Sequence, residues 1–178
     1  MYTYTLWNVS KRERVVSLEN IFAAYSDFHD TFPMPRWSPD GSQFVFVGMQ
    51  PASNPGVFEL YRVTADGQTE QLTNLDTVKY IRPDSHSWSP DGRYITIFLS
   101  PLRGDPNWGP FTPPNLAVLD TKTMEVTDYC VQVRSKGGEP PPPIWSEDGK
   151  QFLVETWTWT DHRRIILILQ RKVRGKSR

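Results

Sequence analysis

One five-residue string occurs three times and limits what this chain can fold into. It reads Trp37-Ser38-Pro39-Asp40-Gly41, then Trp88-Ser89-Pro90-Asp91-Gly92, then Trp145-Ser146-Glu147-Asp148-Gly149. The tryptophans lie 51 and 57 residues apart, and each copy runs into an apolar burst: Phe44–Val47, Tyr94–Phe98 and Phe152–Val154. Self-similarity at such a period marks a repeat architecture. Ser-Pro-Asp-Gly is turn chemistry. Proline presets φ at the first corner, aspartate bonds the backbone just ahead, and glycine takes the φ > 0 position. Strand-like residues on both sides make each string a tight hairpin. Glu147 replaces proline in the third copy, which keeps the Asp-Gly corner with less rigidity. Each tryptophan ends the strand entering its turn, where its ring can wedge between adjacent repeats and bury on the order of 200 Å².

In chain order, Tyr2 to Trp7 alternates, a charged turn follows at Lys11-Arg12-Glu13-Arg14, and Val15–Leu18 returns. That is a hairpin ahead of the first string. Glu19 to Asp27 suits one or two helical turns or a packed loop. The first repeat then has a strand into the string, Phe44–Gly48 out of it, Val57–Val63, the turn Asp66-Gly67, and Thr69–Leu72. Four antiparallel strands form a small meander. The second repeat has the same plan: Ile81–Trp88, Tyr94–Leu99, a Pro/Gly-rich excursion from Ser100 to Asn115, Leu116–Asp120 and Val126–Val133. The third has Phe152–Trp159 and Arg164–Gln170, with no turn signal for a fourth strand before the basic segment Arg171–Arg178.

Trp-Ser-Pro-Asp-Gly, the apolar strand after it, Leu60-Tyr61-Arg62-Val63, Asp66-Gly67 and Gln71-Leu72-Thr73 together resemble the WD-like β-propeller repeat of TolB-type proteins. The same repeat occurs in propeller domains of prolyl-oligopeptidase-like enzymes. The resemblance covers about three repeats and implies an all-β fold of four-stranded blades. The first strand of each blade would line a central channel, and the string turns and Asp-Gly turns would share one face. The expected organisation is a single partial propeller: a hairpin at 1–18 that completes another blade, blades at 28–73 and 82–133, an incomplete blade at 144–170 and a basic tail at 171–178. Propellers have about 4–8 blades. Two chains could therefore complete one six-bladed ring, each hairpin closing the other chain's last blade. In such a ring, the hairpin and Arg164–Gln170 compete for the third strand position. The alternative is a stable part of a longer polypeptide, the remainder of a larger propeller lying elsewhere, or a truncated product.

Twenty basic and twenty acidic residues balance, so no global field points to nucleic acid, and the longest uninterrupted apolar run, Ile165–Leu169, is far too short to enter a bilayer. Lone Cys130 excludes an internal disulfide. No signal peptide is visible, which favours the cytoplasm, or the periplasm if the chain is part of a TolB-type protein. Asn8-Val9-Ser10 matches a glycosylation acceptor that matters only in a eukaryotic secreted protein. No nucleophile elbow, metal-ligand spacing or phosphate loop is present, so no cofactor and no metal are expected.

Asp84 and His86 lie two apart in a lead-in strand and form a candidate pair at the channel mouth, with a structural hydrogen bond as the simpler reading. Arg103-Gly104-Asp105 resembles an adhesion tripeptide, though such a triplet arises easily in a Gly/Pro-rich loop. Pro140–Pro143 reads as a polyproline ligand or a stiff connector. In the fold that the resemblance implies, the long excursions would share the face opposite the string turns and carry Arg103, Asp105, Trp108, Phe111, Trp157, Trp159 and His162, the composition of an interaction hot spot. The expected function is a non-enzymatic scaffold that binds a protein or peptide there, as a homodimer or within a larger propeller. The alternatives are an accessory propeller of a peptidase-like enzyme and a carbohydrate or small-molecule binder.

Overall fold

The computed structural model describes residues 3–23, 34–49, 57–75, 80–101, 112–134, 140–157 and 163–171. Thirteen strands run through them. Strands β1 (Thr3–Asn8) and β2 (Glu13–Ala23) form the opening hairpin. The first blade is β3 (Arg36–Trp37), β4 (Gln43–Met49), β5 (Glu59–Thr64) and β6 (Thr69–Gln71). The second is β7 (Tyr80–Trp88), β8 (Tyr94–Pro101), β9 (Asn115–Asp120) and β10 (Glu125–Gln132). The third is β11 (Ile144–Trp145), β12 (Gln151–Trp157) and β13 (Arg164–Gln170). Each blade is an antiparallel meander, with the inner strands β3, β7 and β11 side by side.

The three string turns share one construction. The Ser38, Ser89 and Ser146 hydroxyls donate to Asp40, Asp91 and Asp148 at 2.6, 2.5 and 2.7 Å. The amides of Gly41, Gly92 and Gly149 reach back to the same serines' carbonyls at 2.9, 2.9 and 3.0 Å, with φ of 69°, 68° and 65°. Glu147 leaves this geometry intact. The turns also stack: a Cβ on Gly92 would lie 3.9 Å from the Pro39 ring, and one on Gly149 would lie 3.8 Å from Pro90.

Alternation along each second strand divides its side chains between two junctions. Val45 and Val47 of β4 pack with Trp88, Ile95, Ile97 and Leu99 of the second blade. Phe98, Leu116 and Val118 pack with Phe152 and Val154 of the third, joined by Trp145, Leu167 and Leu169. Polar links reinforce this second junction: Ser87 donates to the Pro143 carbonyl at 2.5 Å, and the Arg171 guanidinium lies 4.2 Å over the Tyr94 ring.

The hairpin occupies the other face of the first blade, where Leu18 and Ile21, with Leu6 and Val16, cover Phe44, Phe46, Tyr61 and Val63. Val16 sits 3.1 Å from where a Cβ on Gly67 would be, so this turn has no room for a side chain. The helical option from Glu19 does not occur within the described residues. Strand β2 continues to Ala23, because Phe22 and Ala23 pair with Met49 and Gly48 on the β4 edge that β3 also uses.

Candidate interaction surfaces

Of the loop-face candidates, Arg103, Asp105, Trp108, Phe111, Trp159 and His162 lie outside the described residues, whereas Trp157 is part-buried at the end of β12. Asp84 and His86 are both buried in β7, yet no hydrogen bond joins their side chains. The ladder slips between Pro83 and His86, and this irregularity breaks the simple alternation that would pair their side chains. Asp84 accepts from Arg82 Nε and from the Ser100 hydroxyl, both at 2.6 Å. Burial pushes its carboxyl up, and the Arg82 cation opposes that. The ring nitrogens of His86 meet no partner at strict hydrogen-bond geometry, and the Asp84 and Val45 backbone nearby only partly offsets the cost of charging the ring. Burial, with Arg36 as a further cation nearby, pushes its imidazole down to about 4. The ring is therefore neutral near pH 7, and both residues stand inside the wall between blades.

The three tryptophans differ sharply in exposure. Trp88 is 9% exposed, and its indole N–H donates to the Arg36 carbonyl of the preceding blade at 3.1 Å. Trp145 is part-buried against the second blade. Trp37 is 52% exposed, held on one side by Phe44 with ring centroids 5.2 Å apart. Beside it a cleft of about 160 Å³ is lined by Thr5, Leu6, Leu18, Pro35, Trp37 and Phe44. Gly41, unlike Gly92 and Gly149, has no neighbour within 4 Å of a built Cβ.

A second open surface lies at the other end. On the third blade, Phe152 and Val154 face inward, whereas Leu153 pairs with Ile168 and with Ile144, and Glu155 pairs with Ile166. Ile144, Ile166 and Ile168 are 66%, 53% and 68% exposed. No strand pairs with the second edge of β13 among the described residues. Bare apolar edges of this kind favour association. Sequence reading found β13 from its unbroken apolar run. It missed Trp37, because its string is identical to that of Trp88. Among the described residues no cluster could hold a metal ion, and no helix is long and apolar enough to cross a membrane.

No protein-family model and no curated protein matches the sequence. Solved structures do match in shape. TolB from Acinetobacter baumannii superimposes with a TM-score of 0.56 at 17% identity, over 93% of this chain and 45% of TolB. The β-propeller domain of the trilobed protease from Pyrococcus furiosus, described as having an open velcro topology, gives 0.53 at 19% over 94% and 48%. An acylaminoacyl peptidase from Pyrococcus horikoshii gives 0.56 at 16% over 94% and 28%. The chain thus spans less than half of each of these proteins. At such identities the likeness reports fold alone, and that fold is a run of TolB-like β-propeller blades.

Proposed function

We propose that this chain is a non-enzymatic β-propeller scaffold that works by binding protein. The observation that carries the reading is the open apolar face of the third blade, where Ile144, Ile166 and Ile168 stand in solvent beside a strand edge that no other strand pairs with among the described residues. A monomeric soluble surface seldom keeps such a patch without a use for it. The internal position of Asp84 and His86 favours a structural role for this pair. A peptide or protein bound across the loop face, through Trp108, Phe111 and Trp159, belongs to the same reading and rests on their composition.

The experiment joins two assays on the purified chain. Chromogenic peptides and esters should show no turnover, and a protein captured from a lysate should bind saturably in a purified titration. Capture should fall on Trp108→Ala with Phe111→Ala while the far-UV spectrum stays unchanged. Peptide hydrolysis, or failure to hold any protein, contradicts the scaffold. The second reading is an accessory propeller of a peptidase-like enzyme. It is favoured by the likeness to the trilobed protease propeller and to the acylaminoacyl peptidase. A serine-hydrolase domain recovered with the chain would support that reading over a free-standing scaffold.

A further inference from the structure

We propose that the third blade's open face docks against the Trp37 end of a second copy of this chain, so that two copies close one ring. This rests on the reading of the chain as a protein-binding propeller. The chain makes one kind of blade-to-blade contact twice with itself. At each internal junction the later blade contributes a tryptophan and the inward-facing residues of its second strand. The earlier blade contributes the opposite face of its own second strand. The later blade's turn glycine also rests on the earlier blade's turn proline, Gly92 on Pro39 and Gly149 on Pro90.

Each end of the chain displays one half of that contact. At the front, Trp37 is half in solvent, Gly41 has no neighbour, and a cleft opens between Trp37, Phe44 and the hairpin. At the back, Leu153 and Glu155 stand at the repeat positions of Val45 and Val47 in the first blade. Their cross-strand partners Ile168 and Ile166 extend the apolar surface, and Glu155 is already matched by Arg164 at 3.5 Å.

The two halves cannot meet within one chain, because the second blade stands between them. A head-to-tail contact between copies closes into a ring when the rotation allows, and three blades per copy supply six, within the range of about 4–8 that propellers use. The hairpin shapes the junction. It covers Phe46, Tyr61 and Val63 but leaves the cleft beside Trp37 open. The incoming β11 and β12 cover that cleft, and β13 comes to rest beside β1. The hybrid blade then has five strands, since β13 stays paired with β12 along all seven residues. Glu147, standing where the other strings carry proline, has room above the vacant side of Gly41.

The test is mass in solution by light scattering. The wild-type chain should elute at twice its 20.6 kDa mass. Ile166→Glu with Ile168→Glu should raise the dissociation constant at least about a hundredfold, each buried charge being worth a factor of ten or more. The far-UV spectrum should not change, because both residues are exposed in the single chain. Trp37→Ala, on the opposite end, should weaken the dimer independently of β13. A monomeric wild type overturns the proposal, and so does a dimer untouched by both variants. A monomer that still binds another protein through Trp108 would leave the scaffold reading standing and remove this one.

Discussion

Trp88 and Trp37 occupy the same place in the same five-residue turn, and their surroundings could hardly differ more. The turn around each has the same serine–aspartate bond and the same positive-φ glycine. Trp88 is nonetheless sealed by the first blade, whereas Trp37 looks into a shallow cleft. The difference shows that the string specifies the hairpin and only offers the wedge. Burial of the ring is decided by what stands on the preceding side, a tertiary matter the string does not encode.

The contrast predicts its largest effect in stability. In the Ile166→Glu, Ile168→Glu background, where copies are held apart, Trp88→Ala should lower unfolding free energy by about 3–5 kcal/mol, as for other buried aromatics. Trp37→Ala in the same background should cost less than about 1 kcal/mol. Urea melts of the two variants measure this, and equal losses would break the comparison.

The wall that buries Trp88 also buries His86, which gives the second effect. Its folded-state value of about 4 lies below its ordinary 6.5, so the unfolded chain binds more protons between these values. Its contribution is fully present above pH 6.5 and is lost as pH falls toward 4, amounting to at most about 3 kcal/mol. Asp84, whose carboxyl is raised by the same burial, works in the opposite sense in acid, with Arg82 beside it and Arg36 on the neighbouring strand. The difference between wild-type and His86→Leu melts across this window isolates the imidazole. A variant with the wild-type slope would place the titration elsewhere.

Third in size is a pair of glycines. Gly67 and Gly41 both hold positive φ, but only Gly67 abuts a side chain, Val16 of the hairpin. Gly41→Ala should cost about 1 kcal/mol of backbone strain, and Gly67→Ala should cost roughly 1 kcal/mol more. Urea melts rank them, and equal costs would mean that the hairpin gives way freely. The smallest effect is a gain. Glu147→Pro restores the string of the first two copies and should stabilise by about 0.4–1 kcal/mol. A loss would show that the third turn differs in a way its hydrogen bonds hide.

Much of this architecture was legible because it is local. The Asp-Gly corners, the apolar bursts and the β1–β2 hairpin follow from residues a few positions apart. Where distant partners decide, the sequence is ambiguous. Ile21-Phe22-Ala23 has no helical or strand period of its own and becomes strand because Met49 and Gly48 offer an edge. Asp84 and His86 look like an aligned pair, yet the slipped ladder gives the Asp84 carboxylate to Arg82 and Ser100 rather than to the imidazole. The third blade's outward face could be read from alternation once β13 was found. The exposure of Trp37 could not, because nothing in the string distinguishes a covered tryptophan from an open one.

The claim that the two open ends are halves of one contact is tested most directly by hydrogen exchange at several protein concentrations. The account predicts that β7–β9 amides stay protected throughout, whereas those β13 amides that point away from β12 become protected only as concentration rises. Rapid exchange of these β13 amides at every concentration would contradict it.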